Sequence, residues 1–151
     1  MIEEKIKELG FELPAVAKPL AAYIPAKQVG NLVMTSGQVP LVNGVINYTG
    51  KVGSDLSEEE GQKAAQICAL NCLAAVKDVI GNLDKIIEVV KLTVFVASTA
   101  DFTAQPKVAN GASELIGKIF GETGKHVRSA VGVTALPLNA SVEIEMIVRV
   151  E

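Results

Sequence analysis

The chain has 151 residues, enough for one domain with a sizeable core, and 49% hydrophobic with 21% charged residues is the composition of a globular protein rather than a disordered one. A formal net charge of −3 and the lack of tryptophan leave no basic surplus for phosphates and little aromatic surface for stacking bases, which argues against nucleic-acid binding. Met1-Ile-Glu-Glu-Lys carries acids where a secretory signal carries bases, and no apolar run approaches membrane-spanning length, so a soluble, cytoplasmic protein without membrane attachment is expected.

In chain order, Ile2, Ile6 and Leu9 fall at helical spacing before Gly10, which predicts a short amphipathic helix. From Phe11 to Pro25 the prolines at 14, 19 and 25 disfavour helix and central strand. They predict an extended surface arm carrying Tyr23, so that residues 1–25 form a helix and arm ahead of the main body. Asn31 to Ser36 reads as a first strand ended by Gly37. Val42 to Tyr48 reads as a small hairpin through Asn43-Gly44, a dipeptide suited to a type I′ turn.

Ser57-Glu-Glu-Glu60 has the form of a capping box, the hydroxyl accepting from an orphan amide while Glu60 reaches back to the cap. The helix it opens has an Ala-rich stripe with Cys68 and Cys72 four residues apart, and Gly81 past its end. That spacing suits two metal ligands, but no second Cys/His pair accompanies it, and two reduced core thiols are the better reading. Ile86 to Ala97 is nearly continuous in Val, Ile and Leu, as in a strand covered on both faces. A second helix is predicted from Val108 to Phe120, after Pro106 and before Gly121.

The last quarter of the chain holds two period-2 runs on either side of Leu136-Pro-Leu-Asn139. In the first, Arg128, Ala130, Gly132 and Thr134 share one side and Val127, Ser129, Val131 and Val133 the other. In the second, Val142, Ile144, Met146, Val148 and Val150 form an apolar side opposite Glu143, Glu145, Ile147 and Arg149. The order strand, helix, strand, helix, strand, strand predicts a single-domain α/β (α+β) two-layer sandwich, a mixed sheet with two long helices on one face. Its other face is left uncovered and is expected to carry Arg128, Ala130, Gly132, Thr134, Glu143, Glu145, Lys91, Thr93 and Phe95, either solvated or lining a subunit interface.

Three pieces of the sequence together resemble the RidA/YjgF family of small trimeric proteins, once grouped with an endoribonuclease named L-PSP. They are Gly30-Asn-Leu-Val-Met-Thr-Ser-Gly-Gln-Val-Pro40, Thr93-Val-Phe-Val96 with Asp101-Phe102, and Arg128-Ser129 with Leu136-Pro137 and Val142-Glu-Ile-Glu145. The resemblance implies a chorismate-mutase-like fold, with the last strand inserted between the first two main strands, and a homotrimer with its sheets packed inward. It also implies hydrolysis of reactive enamine and imine acids to 2-oxo acids and ammonia, with no metal or organic cofactor. Carried over by motif, the carboxylate-binding arginine is Arg128, the water-positioning glutamate Glu143, the site tyrosine Tyr23, the Ser-Gly pair Ser36-Gly37 and the site asparagine Asn110. These residue types suit that chemistry, since a guanidinium fork can grip a carboxylate at two points and a carboxylate can orient or deprotonate water.

The sequence departs from imine-hydrolysing members in three places. Ala130 stands where they often have Cys, the segment from Phe102 to Arg128 is longer, and so is the N-terminal arm, as in a less characterised subgroup of the family. Counting from strand starts, the implied topology puts Arg128 and Glu143 about six residues apart along the sheet, on the order of 20 Å. A site using both would then lie between subunits. Structural roles compete for each residue: a salt bridge for Arg128, a solvated strand position for Glu143, edge packing for Tyr23, a strand end for Ser36-Gly37. His126, the single histidine, is read as structural. The rival function is a silent trimeric binder of small carboxylates; acidic composition and one histidine argue against a ribonuclease.

Overall fold

The computed structural model describes residues 1–19 and 21–151. Helix α1 (Ile2–Glu8) and an irregular arm lead into strands β1 (Ala26–Val29) and β2 (Leu32–Thr35), and a small hairpin follows, β3 (Leu41–Val42) with β4 (Val45–Ile46). Then come α2 (Glu58–Ile80), β5 (Ile86–Ala97), α3 (Gln105–Phe120), β6 (Val127–Val133) and β7 (Val142–Val150). Five strands form one sheet in the order β1-β2-β7-β5-β6. β7 runs antiparallel to both β2 and β5, so these two share a direction, and β6 is parallel to β5. The expected mixed sheet is therefore present, with the last strand inserted between the first two main ones.

Local chemistry explains most boundaries. Ser57 caps α2 by accepting from the Glu60 amide at 3.1 Å, while its hydroxyl donates to the Glu60 carboxylate at 3.2 Å, which does not reach the cap amide. Asn43 and Gly44 both have positive φ, as the tight hairpin turn requires. Two boundaries depart from expectation. Ala26–Val29 is a strand, made possible because the Gly30-Asn31 turn folds it back on β2. α3 starts at Gln105, since Pro106 fits its first turn, where no amide donor is needed.

The helices cover one face of the sheet. Ala64, Ala65, Cys68, Cys72, Ala75 and Val76 of α2 are fully buried against it, and the two thiols donate to the β7 carbonyls of Val142 and Ile144 at 3.5 and 3.3 Å. Burial pushes the Cys72 thiol up to about 12, so it stays protonated. Where α2 and α3 cross, Gly111 lies against the backbone of Gln62, whose carbonyl a β-carbon would strike. Gly111→Ala is therefore expected to destabilise the fold by about 1–3 kcal/mol, seen as a lowered melting temperature, despite the better helix propensity of alanine.

The faces of β6 are the reverse of the sequence expectation. Arg128, Ala130 and Gly132 pair in register with Leu92, Val94 and Val96, whose side chains are buried under the helices. The open face carries Val127, Ser129 and Val131 instead, beside Lys91, Thr93 and Phe95 of β5 and Glu143, Glu145 and Ile147 of β7. β6 is an edge strand beside α3, and next to Arg128 that face carries the small residues Ala130 and Gly132; a β-carbon at Gly132 would sit 2.6 Å from the Gln105 side-chain nitrogen, which would have to shift. The register also corrects the expected separation, because Arg128 aligns with Leu92 and Glu143 with Phe95. Three residues along a strand is about 10 Å, not 20. The two side chains nonetheless leave opposite faces of the sheet.

Candidate active site

Arg128 is held by a single stripe of α3. Pro106, Asn110 and Ser113 recur at helical spacing on the side of α3 that overhangs β6. Arg128 Nη1 donates to Asn110 Oδ1 at 2.9 Å and to Ser113 Oγ at 3.1 Å, and Nη2 donates to the Pro106 carbonyl at 3.3 Å. A guanidinium has five N–H donors. Among the described residues three of these are engaged, which leaves the Nε proton and one Nη2 proton, donors on neighbouring nitrogens of the fork. That pair matches the two oxygens of a carboxylate. The residue is half-buried, so the charge is shielded from bulk water yet reachable. Beside it lies an open cavity of about 340 Å³ lined by Ser113, Gly117, Gly124, Lys125, His126 and Arg128.

Glu143 belongs to a second group built around an irregularity in β2. Met34 pairs with Ile147, and pairing resumes at Gln38 with Ile144 through backbone bonds of 2.8 and 2.9 Å. The extra residue in between makes a bulge, and Thr35 Oγ1 accepts from the Met146 amide at 3.0 Å in place of a ladder partner. Ser36 ties this bulge to the arm: its amide donates to the Pro25 carbonyl at 2.7 Å and its hydroxyl to the Ile24 carbonyl at 2.6 Å. Tyr23, one residue earlier, is exposed. Gly37 lies under the Glu143 carboxylate, so close that a β-carbon would stand 2.7 Å from Oε1. Partial burial, and then the neighbouring Glu145 charge, raise the Glu143 carboxyl above its ordinary value.

The sequence-predicted residues thus form two clusters. Arg128 and Asn110 meet directly; Glu143, Gly37, Ser36 and the arm bearing Tyr23 meet on the other side of the sheet. Sequence reasoning missed Ser113 and the Pro106 carbonyl, although their helical spacing from Asn110 was a usable signal. His126, read as structural, lies with Nε2 2.9 Å from Ser113 Oγ.

Comparison with known proteins agrees with this architecture. Residues 3–149 match the family model described as "YjgF/chorismate mutase-like, putative endoribonuclease". The chain belongs to the RidA/YjgF family. Among its RidA/YjgF relatives, protein TCP17 of Trypanosoma cruzi is 43% identical over 98% of this chain and 93% of its own length. A 2-iminobutanoate/2-iminopropanoate deaminase of Dermatophagoides farinae is 34% identical over 91% of this chain and 93% of its own. A solved structure, the Agrobacterium tumefaciens protein Atu1372 of unknown function, is 49% identical with a TM-score of 0.94, covering 99% of this chain and 92% of that one. Among the described residues no helix is long and apolar enough to cross a membrane.

Proposed function

We propose that the protein hydrolyses small enamine and imine acids to 2-oxo acids and ammonia, in clefts between the subunits of a homotrimer. The observation that carries this reading is the arginine that keeps an Nε and an Nη2 donor without a partner among the described residues, a two-point donor for a substrate carboxylate. Relatives at 31–34% identity named 2-iminobutanoate/2-iminopropanoate deaminase support the chemistry. With the carboxylate fixed on Arg128, a water held by Glu143 attacks the imine carbon and gives up a proton to the carboxylate. Glu143 hands that proton to the imine nitrogen, giving the carbinolamine. The Glu143 carboxylate then takes the hydroxyl proton as the C=O forms, the C–N bond breaks, this second proton passes to the leaving nitrogen, and ammonia and the 2-oxo acid leave. An enamine must first take a proton at its β-carbon to become the imine.

The base must be deprotonated to act, so activity falls as pH drops through the Glu143 pKa. Because that pKa is raised, the acid limb of kcat/KM is expected above the range of an ordinary carboxylate. For stability the sign is opposite: a raised folded-state pKa stabilises at low pH and that contribution is lost as pH rises. Glu143→Gln should therefore melt no lower than wild type at neutral pH, bind 2-oxo acids normally and release no ammonia from an imine generated in situ. Turnover retained by this variant would remove Glu143 from the mechanism. Binding by the wild type without any turnover would favour the silent carboxylate binder.

The trimer rests on the open sheet face. Val127 is 64% exposed and Val131 44% on the edge strand β6, with Phe95 of β5 and Ile147 of β7 half-buried on the same face and Met34 exposed farther across it on β2. Such a patch calls for a partner surface, and a copy of the same chain is the economical one. Light scattering is expected to give three times the chain mass at micromolar concentration; a monomer would refute the assembly.

A further inference from the structure

We propose that Ser113 and His126 are positioning residues that fix the direction in which the remaining Nε and Nη2 donors of Arg128 are presented to a substrate carboxylate. The inference rests on the carboxylate-binding role proposed above for Arg128. Four groups form one chain of hydrogen bonds. His126 Nδ1 lies 2.7 Å from the Gly124 carbonyl, which can only accept, so the ring carries its proton on Nδ1. In the neutral ring Nε2 is then an acceptor, and the partner at 2.9 Å, Ser113 Oγ, must donate to it. With its proton committed, Ser113 Oγ turns a lone pair toward Arg128 Nη1 at 3.1 Å.

Without His126 the Ser113 proton has a competing acceptor, and the lone pair offered to Arg128 is less closely fixed. A serine inside a helix ordinarily donates to the carbonyl four residues back, and its lone pairs then point elsewhere. The anchor of the chain is itself rigid. Gly124 is buried under the end of α3, where a β-carbon would stand 2.7 Å from the Ile116 carbonyl. Asn110 Oδ1 takes the other Nη1 proton at 2.9 Å and the Pro106 carbonyl takes one from Nη2. Three acceptors at different points around the guanidinium fix its plane, and a ligand then meets a fork already set. Ser113 and His126 touch no substrate in this account and act through Arg128.

Four variants test it: Ser113→Ala and His126→Phe, which break the chain, and Ser113→Thr and His126→Gln, which keep a hydroxyl and an acceptor. Alanine raises helix propensity at position 113, so Ser113→Ala should fold, and circular dichroism checks this. Pyruvate affinity by calorimetry is expected to fall about tenfold in either breaking variant and no further in the double, with the conservative pair close to wild type. With an imine substrate the loss should sit in KM rather than kcat. Wild-type affinity in Ser113→Ala, additive losses, or no rescue would overturn the proposal.

A second measurement needs no ligand. Nitrogen-15 NMR of the wild type should show Nδ1 protonated and Nε2 as a hydrogen-bonded acceptor. The Arg128 Nη resonances should be separate in the wild type and averaged by rotation in Ser113→Ala. If wild type fails to bind pyruvate, the functional reading falls; the NMR result still decides the positioning role. Averaged Arg128 resonances in the wild type would refute it.

Discussion

Arg128→Ala is expected to weaken binding of a 2-oxo acid about ten- to hundredfold, the effect of losing about 1.5–3 kcal/mol of charged hydrogen bonding. Assembly should survive, because the side chain lies on the helix face of β6 while the patch assigned to the subunit interface lies on the other. The acceptors left behind, Asn110, Ser113 and the Pro106 carbonyl, are partly or fully exposed, so water can replace the guanidinium and the fold should lose little. Arg128→Lys is the sharper comparison. It keeps the charge but offers a point donor, and it should recover only a minor part of the affinity if the two-nitrogen edge is what binds. Calorimetry with pyruvate, alongside light scattering on the same samples, separates the outcomes. A variant that falls to monomers would make Arg128 a strut of the assembly.

Much of the architecture was legible because its signals are local. The continuous apolar run of β5, the Ser57 cap, the Asn43-Gly44 turn and the alternation in β7 each follow from a few neighbouring residues. β1 was not legible, since Ala-Lys-Gln-Val has no alternation of its own and becomes a strand only by pairing with β2. Nor were the faces of β6. Alternation sorts side chains into two sets but does not say which set meets the helices. Three valines looked like one surface and a lone arginine over Ala130 and Gly132 like another; only the register with Leu92, Val94 and Val96 shows that the small set is roofed by α3. The same gap explains the site. Arg128, Glu143 and Gly37 could be matched by motif, whereas the Asn110, Ser113 and His126 contacts depend on where α3 lies over the edge strand.

Mixing two inactive variants should restore activity. Within one chain Arg128 and Glu143 point from opposite faces of the sheet, so a small substrate cannot touch both, however short the distance along the strands. If both serve one site, the arginine of one subunit must meet the glutamate of the next, and a trimer holds three equivalent clefts. Arg128→Ala and Glu143→Ala chains alone then have no complete cleft. Unfolded together and refolded at equal amounts, they assort, and a cleft is complete when an intact arginine from one neighbour faces an intact glutamate from the other. Random assortment makes about one cleft in four complete, so about a quarter of the wild-type rate is expected, rising and falling with the mixing ratio as the product of the two fractions. Native mass spectrometry establishes that mixed trimers form. Mixed trimers with no recovered turnover, from parents that are each dead, would mean that the two residues do not meet across a subunit boundary, and the inter-subunit site would have to be abandoned.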